Sequence, residues 1–352
     1  MQRFKNILVV IDEKTDNRAV VERAVTLAQR NQARLTVVNT AKEPLREARV
    51  LDVPEPLVDI DIIEEWPPDA GQSPAPVALT EWPLGAETPI TEPAVVIRER
   101  IVEEESQRLE QWVDFVRQSG VQVSGKMLIG MPFVEIIREV LRNELDLVMT
   151  TAEGRIGLKE KLFGSAAMHL MRQCPCPVWV IQPSQPQSYT RIMAAVDPIP
   201  VDQEQYAINI KIMDLATALA RQQQRELVVV HTWTFPVEQS LRSGQFGSSG
   251  EVDRWVRGAQ DLHRLRLAEL LQPYALQDLE SHVYMLKGEP GNLIPKLAAE
   301  KEVEHIVMGT VSRTGMAGLL IGNTAEKILR RVNCSVLTVK PDAFVTPVRL
   351  DE

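Results

Sequence analysis

The sequence predicts an α/β protein of two tandem domains. Each is expected to be a five-stranded parallel sheet with helices on both faces. Three observations carry this reading. The chain has 352 residues, room for two domains of about 100–200 residues each. Short apolar runs alternate with stretches of helical spacing along its length, the pattern of strands joined by crossover helices. And the second half repeats the first.

The repeat emerges when the sequence is slid over itself. One constant offset carries Gly130 onto Gly288, Pro132 onto Pro290, Gly164 onto Gly322, Cys176 onto Cys334 and Pro183 onto Pro341. KMLIGMP (126–132) then lies on YMLKGEP (284–290), and ELDLVMT (144–150) on EVEHIVM (302–308). NILVVID (6–12) matches RIMAAVD (191–197) at a larger offset, so the first half holds a net surplus of residues. Domains are expected at 1–185 and 186–352, joined near PSQPQSY (183–189).

In the first half, Ile7–Ile11 is an unbroken apolar run, as a strand buried on both faces requires. Residues 17–32 place Val20, Val21, Ala24, Val25, Leu27 and Ala28 at helical spacing. Leu35–Val38 reads as the second strand. Residues 95–118 read as a long amphipathic helix with Ile101, Leu109, Trp112, Val113 and Val116 on its apolar side. Val121–Leu128 is the third strand, Phe133–Leu141 a helix and Leu145–Met149 the fourth strand. A helix is expected from about Ser165, then a fifth strand Val178–Ile181. The second half repeats the order with strands Ile192–Val196, Leu227–Val230, Ser281–Leu286, His305–Met308 and Ser335–Val339. Open sheets leave edges that need cover, and the two fifth strands are candidates for a joint.

The surplus sits at about 43–94. Residues 43–93 hold twelve acids against two bases (Arg46 and Arg49) and ten of the chain's 23 prolines. Proline breaks ladders and helices, and like charges repel, so an extended, irregular insertion is expected. Trp66 and Trp82 would pin it to the protein or offer it to a protein partner.

The whole chain carries Lys+Arg 39 and Asp+Glu 48, a net charge of -9. That balance argues against nucleic acid as a partner. No apolar run reaches the roughly 18–20 residues of a membrane span. The first apolar run reads as a buried strand rather than a secretory signal. Three cysteines, Cys174, Cys176 and Cys334, fit a reducing, cytoplasmic setting better than a disulfide scaffold.

In such doubly wound sheets, ligands bind at the carboxyl ends of the strands where the winding reverses. There the second half carries Gly309, Ser312, Gly322, Asn323 and Thr324, and the first half Thr151, Gly154, Gly164, Ser165 and Ala166, at matching spacing. Small residues let a backbone approach a ligand, and a Gly followed by a hydroxyl or amide at a helix start outlines a phosphate site. Arg155 and Arg313 occupy equivalent loop positions, where a guanidinium would pair with phosphate or simply be solvated.

With Asp12 and Asp197 ending strand one, Gly-x-Pro after strand three, and a small-residue loop before the last helix, the chain resembles the universal stress protein family in its tandem two-domain, E-type form. The resemblance covers nearly the whole chain outside the insertion. It implies a Rossmann-like fold, an intrachain pseudo-dimer, and an ATP-like nucleotide held by a G-x2-G-x9-G-[S/T] loop. Carried over, it implies Asp197, Thr232, Met308, Gly309, Ser312, Arg313, Gly322, Asn323 and Thr324 around a nucleotide in the second half. In the first half it implies Asp12, Thr40, Thr151, Gly154, Arg155, Gly164, Ser165 and Ala166. Both copies depart from the pattern: Thr151 replaces the first Gly in one, while Ser312 and Asn323 stand in the other. A β-branched residue is poor where positive φ or close approach is needed, so the second site ranks above the first.

Other constellations are weaker. Cys174-Pro-Cys176-Pro lacks the spacing and second ligand pair of a zinc site, and Cys176 and Cys334 read as buried core thiols. His231, near the expected cleft, could touch a base or equally be a satisfied strand-end histidine; His282 and His305 read as structural. P-loop, dinucleotide and nucleophile-elbow motifs are absent from the sequence. Three functions stay in view: a nucleotide-binding stress protein acting through conformation and partners, a scaffold or binder of another small molecule, and a slow ATPase. For the last, a phosphate cradle is legible but no base or nucleophile. A dimer of the tandem chain is allowed as a further assembly.

Overall fold

The computed structural model describes residues 4–12, 15–41, 91–152, 163–183, 190–199, 202–243, 249–310 and 322–350, with side chains of 91–101 and 223 excepted. Contacts group Met1–Lys42 with Glu105–Glu352 in one unit and place Glu43–Glu104 in another. The description below concerns the first unit. Trp66, Trp82 and most of the 43–94 insertion lie outside the described residues.

The first half gives β1 (Asn6–Ile11), α1 (Arg18–Asn31), β2 (Arg34–Ala41), α2 (Thr91–Gln118), β3 (Val123–Ile129), α3 (Pro132–Arg142), β4 (Leu147–Thr151), α4 (Ser165–Gln173) and β5 (Val178–Ile181). The second gives β6 (Arg191–Ala195), α5 (Gln203–Gln223), β7 (Glu226–Trp233), α6 (Glu238–Ser243), α7 (Ser249–Leu271), β8 (Ser281–Lys287), α8 (Pro290–Glu300), β9 (His305–Gly309), α9 (Asn323–Leu329) and β10 (Ser335–Val339). The ten strands form one sheet in the order β3-β2-β1-β4-β5-β10-β9-β6-β7-β8. Within each half every pairing is parallel; only β5 and β10 run antiparallel, with Val180 opposite Val336 and Val178 opposite Thr338. The fifth strands are therefore the seam, as expected.

Helices cover both faces. Core residues of α1, α2, α5 and α7 pack on one side of the sheet, and those of α3, α4, α8 and α9 on the other. The continuous apolar run of β1 follows from this, since both faces of the strand are covered and Ile7, Leu8 and Val9 are fully buried. At the seam Trp179 stacks on His305, ring centroids 5.0 Å apart. Side chains tie the halves together as well. Gln182 N–H donates to Ser335 Oγ at 3.0 Å, Lys340 Nζ donates to the Met171 carbonyl at 2.7 Å, and Arg172 pairs with Glu326 at 2.8 Å.

Most element ends shift from expectation by a residue or more, and some shifts have a local reason. β3 starts at Val123 rather than 121. β4 starts at Leu147 because Glu144 turns left-handed (φ 48°) and Leu145 N–H closes back on Val140 O, making Leu145 part of the helix exit. The second half repeats this device at Glu302 (φ 49°) and Val303, whose N–H meets Ala298 O. The helix expected from 95 begins at Thr91, with Pro93 in its first turn, where a missing N–H costs nothing.

The offset between the halves changes once more than the insertion requires. Asp12 and Asp197 end strand one, yet the asparagine that secures each corner is Asn17 in one half and Asn209 in the other. The first stands at the cap of α1; the second lies well inside α5. The second half is longer here by seven residues, two helical turns, which keeps the same helix face toward the sheet. The net surplus of the first half is thus the excess of its β2–α2 connection over the β7–α7 connection of the second half, less these two turns.

Candidate functional site

The sheet order places β6 between β9 and β7. From β6 the chain winds outward to β7 and β8, then returns to β9 and β10 on the other side, so the winding reverses between β6 and β9. A cavity of about 690 Å³ opens at that point, at the carboxyl ends of the strands.

Its walls can be built from the backbone upward. Asp197 follows β6, and its corner is clamped by Asn209: the Asp197 N–H donates to Asn209 Oδ1, and Asn209 Nδ2 donates back to the Asp197 carbonyl, each at 2.8 Å. The two added turns of α5, started by Asp202 accepting from Gln205 N–H at 2.8 Å, bring Gln205 and Ile208 to the cavity wall. Thr232 and Trp233 come from the end of β7, Met308 and Gly309 from the end of β9, and Pro290 from the start of α8. Pro290 is placed by Gly288, whose φ of 142° only glycine adopts readily. Gly322, Asn323 and Thr324 form the remaining wall. Gly322 is anchored there by its N–H donating to Thr310 O at 2.8 Å.

All described residues implied for the second site therefore share one cavity: Asp197, Thr232, Met308, Gly309, Gly322, Asn323 and Thr324. Ser312 and Arg313 lie outside the described residues. The first half differs. Asp12, clamped by Asn17 in the same way, lines a separate, more open cavity of about 500 Å³ with Thr15, Arg108, Trp112 and Phe115. Thr40, Thr151, Gly164, Ser165 and Ala166 are not on its walls. Gly154 and Arg155 lie outside the described residues.

Of the two reasons expected to separate Thr151 from Gly309, positive φ does not apply, since neither residue has one. A Cβ at Gly309 would instead stand 3.0 Å from Ile208 Cγ2, on one of the added turns. The first half lacks those turns, so Thr151 sits buried in β4 without that neighbour.

Of the two readings open for His231, the structure gives the satisfied, buried histidine, and a different histidine lines the cavity. His231 is 1% exposed and lies inside β7 rather than at its end. Its Nδ1 is 3.2 Å from the Val196 carbonyl, and its Nε2 is 2.8 Å from Nδ1 of His263 on α7. His263, hydrogen-bonded edge to edge with His231 and tilted against Trp233, is on the cavity wall. Burial pushes the pKa of His231 down to about 4 and lowers that of His263. In the structure His263 is the repeat partner of Glu105, which hydrogen-bonds Asn39, the repeat partner of His231. The two halves thus keep a polar strand-to-helix pair and change its chemistry.

The remaining candidates lie away from the cavity. His305 is buried against Trp179 and His282 is on a partly exposed strand. Cys334 is buried, and burial pushes its thiol up to about 12. The pair before β5 corrects the expectation: Cys174 is the buried member and Cys176 is only half-buried, their sulfurs 3.5 Å apart. Among the described residues no group of three or more His, Cys, Asp or Glu side chains is placed to hold a metal. No helix among them is long and apolar enough to cross a membrane.

The model of the universal stress protein family matches residues 3–59, 77–182 and 188–340. The chain belongs to the universal stress protein family. Universal stress protein E of Salmonella typhi is 26% identical over 355 residues, covering 100% of this chain and 99% of that one. A universal stress protein E homolog of Haemophilus influenzae is 23% identical, covering 96% and 98%. Among solved structures, a putative universal stress protein of Pseudomonas aeruginosa aligns with a TM-score of 0.65 at 22% identity, covering 97% of this chain and 95% of that one. A universal stress protein of Archaeoglobus fulgidus aligns with a TM-score of 0.56 at 15% identity, covering 95% and 98%. These likenesses establish the tandem fold of the family.

Proposed function

We propose that this universal stress protein binds an ATP-like nucleotide in its second half and acts in the cytoplasm as a stress-response sensor or regulator, through conformation and partners. The observation that carries the reading is the convergence of Asp197, Thr232, Met308, Gly309 and Gly322–Thr324 on one cavity at the reversal point of the sheet. Its volume, about 690 Å³, falls in the range of small-molecule sites, about 300–1,000 Å³. On this reading Asp197 faces the ribose, the β7 end meets the base, and the Gly322–Thr324 backbone receives phosphate. The first half, whose corresponding residues do not share the cavity at Asp12, serves as a structural partner. The division into domains 1–185 and 186–352 belongs to the same reading.

A second reading draws on the wall itself. Ile208, Ile212, Ile294 and Met308 make much of it apolar, which suits a ligand with an apolar part attached to a nucleotide or standing alone. The test is mass spectrometry of small molecules released by denaturing the freshly purified chain, followed by ATP titration of wild type and Gly322→Leu. Released ATP or ADP near one per chain, lost in the folded Gly322→Leu protein, is the expected result. A different compound, or no ATP binding by the wild type, would overturn the nucleotide reading.

A further inference from the structure

His231 and His263 form a directed relay whose polarity is fixed by a carbonyl. The Val196 carbonyl can only accept, so His231 Nδ1 must carry the proton in the 3.2 Å contact. Neutral His231 then has a bare Nε2, which accepts from His263 Nδ1–H across 2.8 Å. Neutral His263 is left with a bare Nε2, a hydrogen-bond acceptor on a ring that lines the cavity. That nitrogen has no hydrogen-bond partner among the described residues. Burial keeps both rings neutral near pH 7, so the polarity holds under ordinary conditions. The ring is also held in place, nearly coplanar with His231 across the hydrogen bond (interplanar angle 26°) and tilted against Trp233 with ring centroids 5.3 Å apart.

We propose that His263 is the base-selecting residue of this cavity, accepting a hydrogen bond through Nε2 from an N–H of the ligand such as the exocyclic amine of a 6-aminopurine. The inference rests on the nucleotide reading and adds to it which face of the ligand is recognised. A site built to receive a donor discriminates against an analogue that lacks one, because its own polar group is then left without a partner. The first half cannot do the same. There Asn39 and Glu105 are paired with each other, and Glu105 is also engaged by Arg108 at 2.7 Å.

The full chain is titrated with ATP and with purine riboside triphosphate, which lacks only the 6-amino group. ATP is expected to bind about tenfold more tightly, the scale of one hydrogen bond. In a folded His263→Phe variant, which keeps an aromatic ring at that position, the two affinities should come within about twofold of each other. Equal affinities in the wild type, or a preference that survives in His263→Phe, would overturn the proposal while leaving nucleotide binding intact. If ATP itself does not bind, the nucleotide reading falls and base selection falls with it. Nitrogen-15 NMR of the imidazoles in the ligand-free chain gives an independent check. His263 should show a protonated Nδ1 and a bare Nε2, and the opposite tautomer would overturn the relay whether or not the variant folds.

Discussion

Acid should destabilise this protein in a way that one buried imidazole makes measurable. His231 is held neutral in the fold, with a pKa pushed down to about 4, against 6.5 in an unfolded chain. The folded value is the lower one, so between these pH values the unfolded state binds more protons, and stability must rise with pH across that window. Integrating the titration from pH 7.5 down to pH 5.0, His231 alone withdraws about 2 kcal/mol. The check is urea denaturation followed by circular dichroism at both pH values, for wild type and for His231→Gln, which keeps a polar chain of similar reach without a titrating ring. Contributions from carboxylates and from His305 are common to both proteins and cancel in the comparison. Wild type should lose about 2 kcal/mol more than the variant on acidification. Equal losses in the two proteins would refute the claim that His231 is buried and neutral.

Two further outcomes test how the cavity is constructed. Gly309→Val should drive a side chain into Ile208, costing about 1–3 kcal/mol and weakening ligand binding, and a second change, Ile208→Ala, should recover the melting temperature. An uncorrected loss in the double variant would mean that the 3.0 Å approach is not the cause. Asn209→Ala and Asn17→Ala each delete a clamp that closes a strand-one corner, and each should cost roughly 1–3 kcal/mol by leaving backbone groups unpaired. Only Asn209→Ala should also reduce ligand affinity, as measured by calorimetry; a matching effect from Asn17→Ala would place ligand in both halves.

Much of the architecture could be read from the residues because the repeat constrained it twice. A run such as Ile7–Ile11 is ambiguous alone, but its twin Ile192–Val196 and the shared Gly-x-Pro after strand three leave few other folds. The seam was legible too, since β5 and β10 are apolar strands that each half leaves exposed at an edge. What the sequence could not show was depth. His231 and His263 are 32 residues apart, and which of them faces the cavity depends on how α7 lies against β7, a property that periodicity in either segment does not encode. The two added turns of α5 were hidden for a similar reason. A seven-residue gain preserves helical phase, so it leaves the apolar pattern undisturbed while moving Ile208 over Gly309. That displacement, rather than any demand for a left-handed backbone, explains why one half has Gly where the other has Thr.

The antiparallel pairing of β5 with β10 has a consequence for what the protein can become. Where two identical chains associate about a two-fold axis, every substitution is made twice, and a change that favours one cleft is imposed on the other. Here the pairing lies within a single chain, and its effective concentration does not fall on dilution. Each half is therefore free to change alone. Thr151 opposite Gly309, Asn39 opposite His231 and Glu105 opposite His263 are such one-sided changes, made while the strands between them continue to close one sheet. The seam lets a symmetric pair diverge: either copy can be reshaped without its partner having to follow.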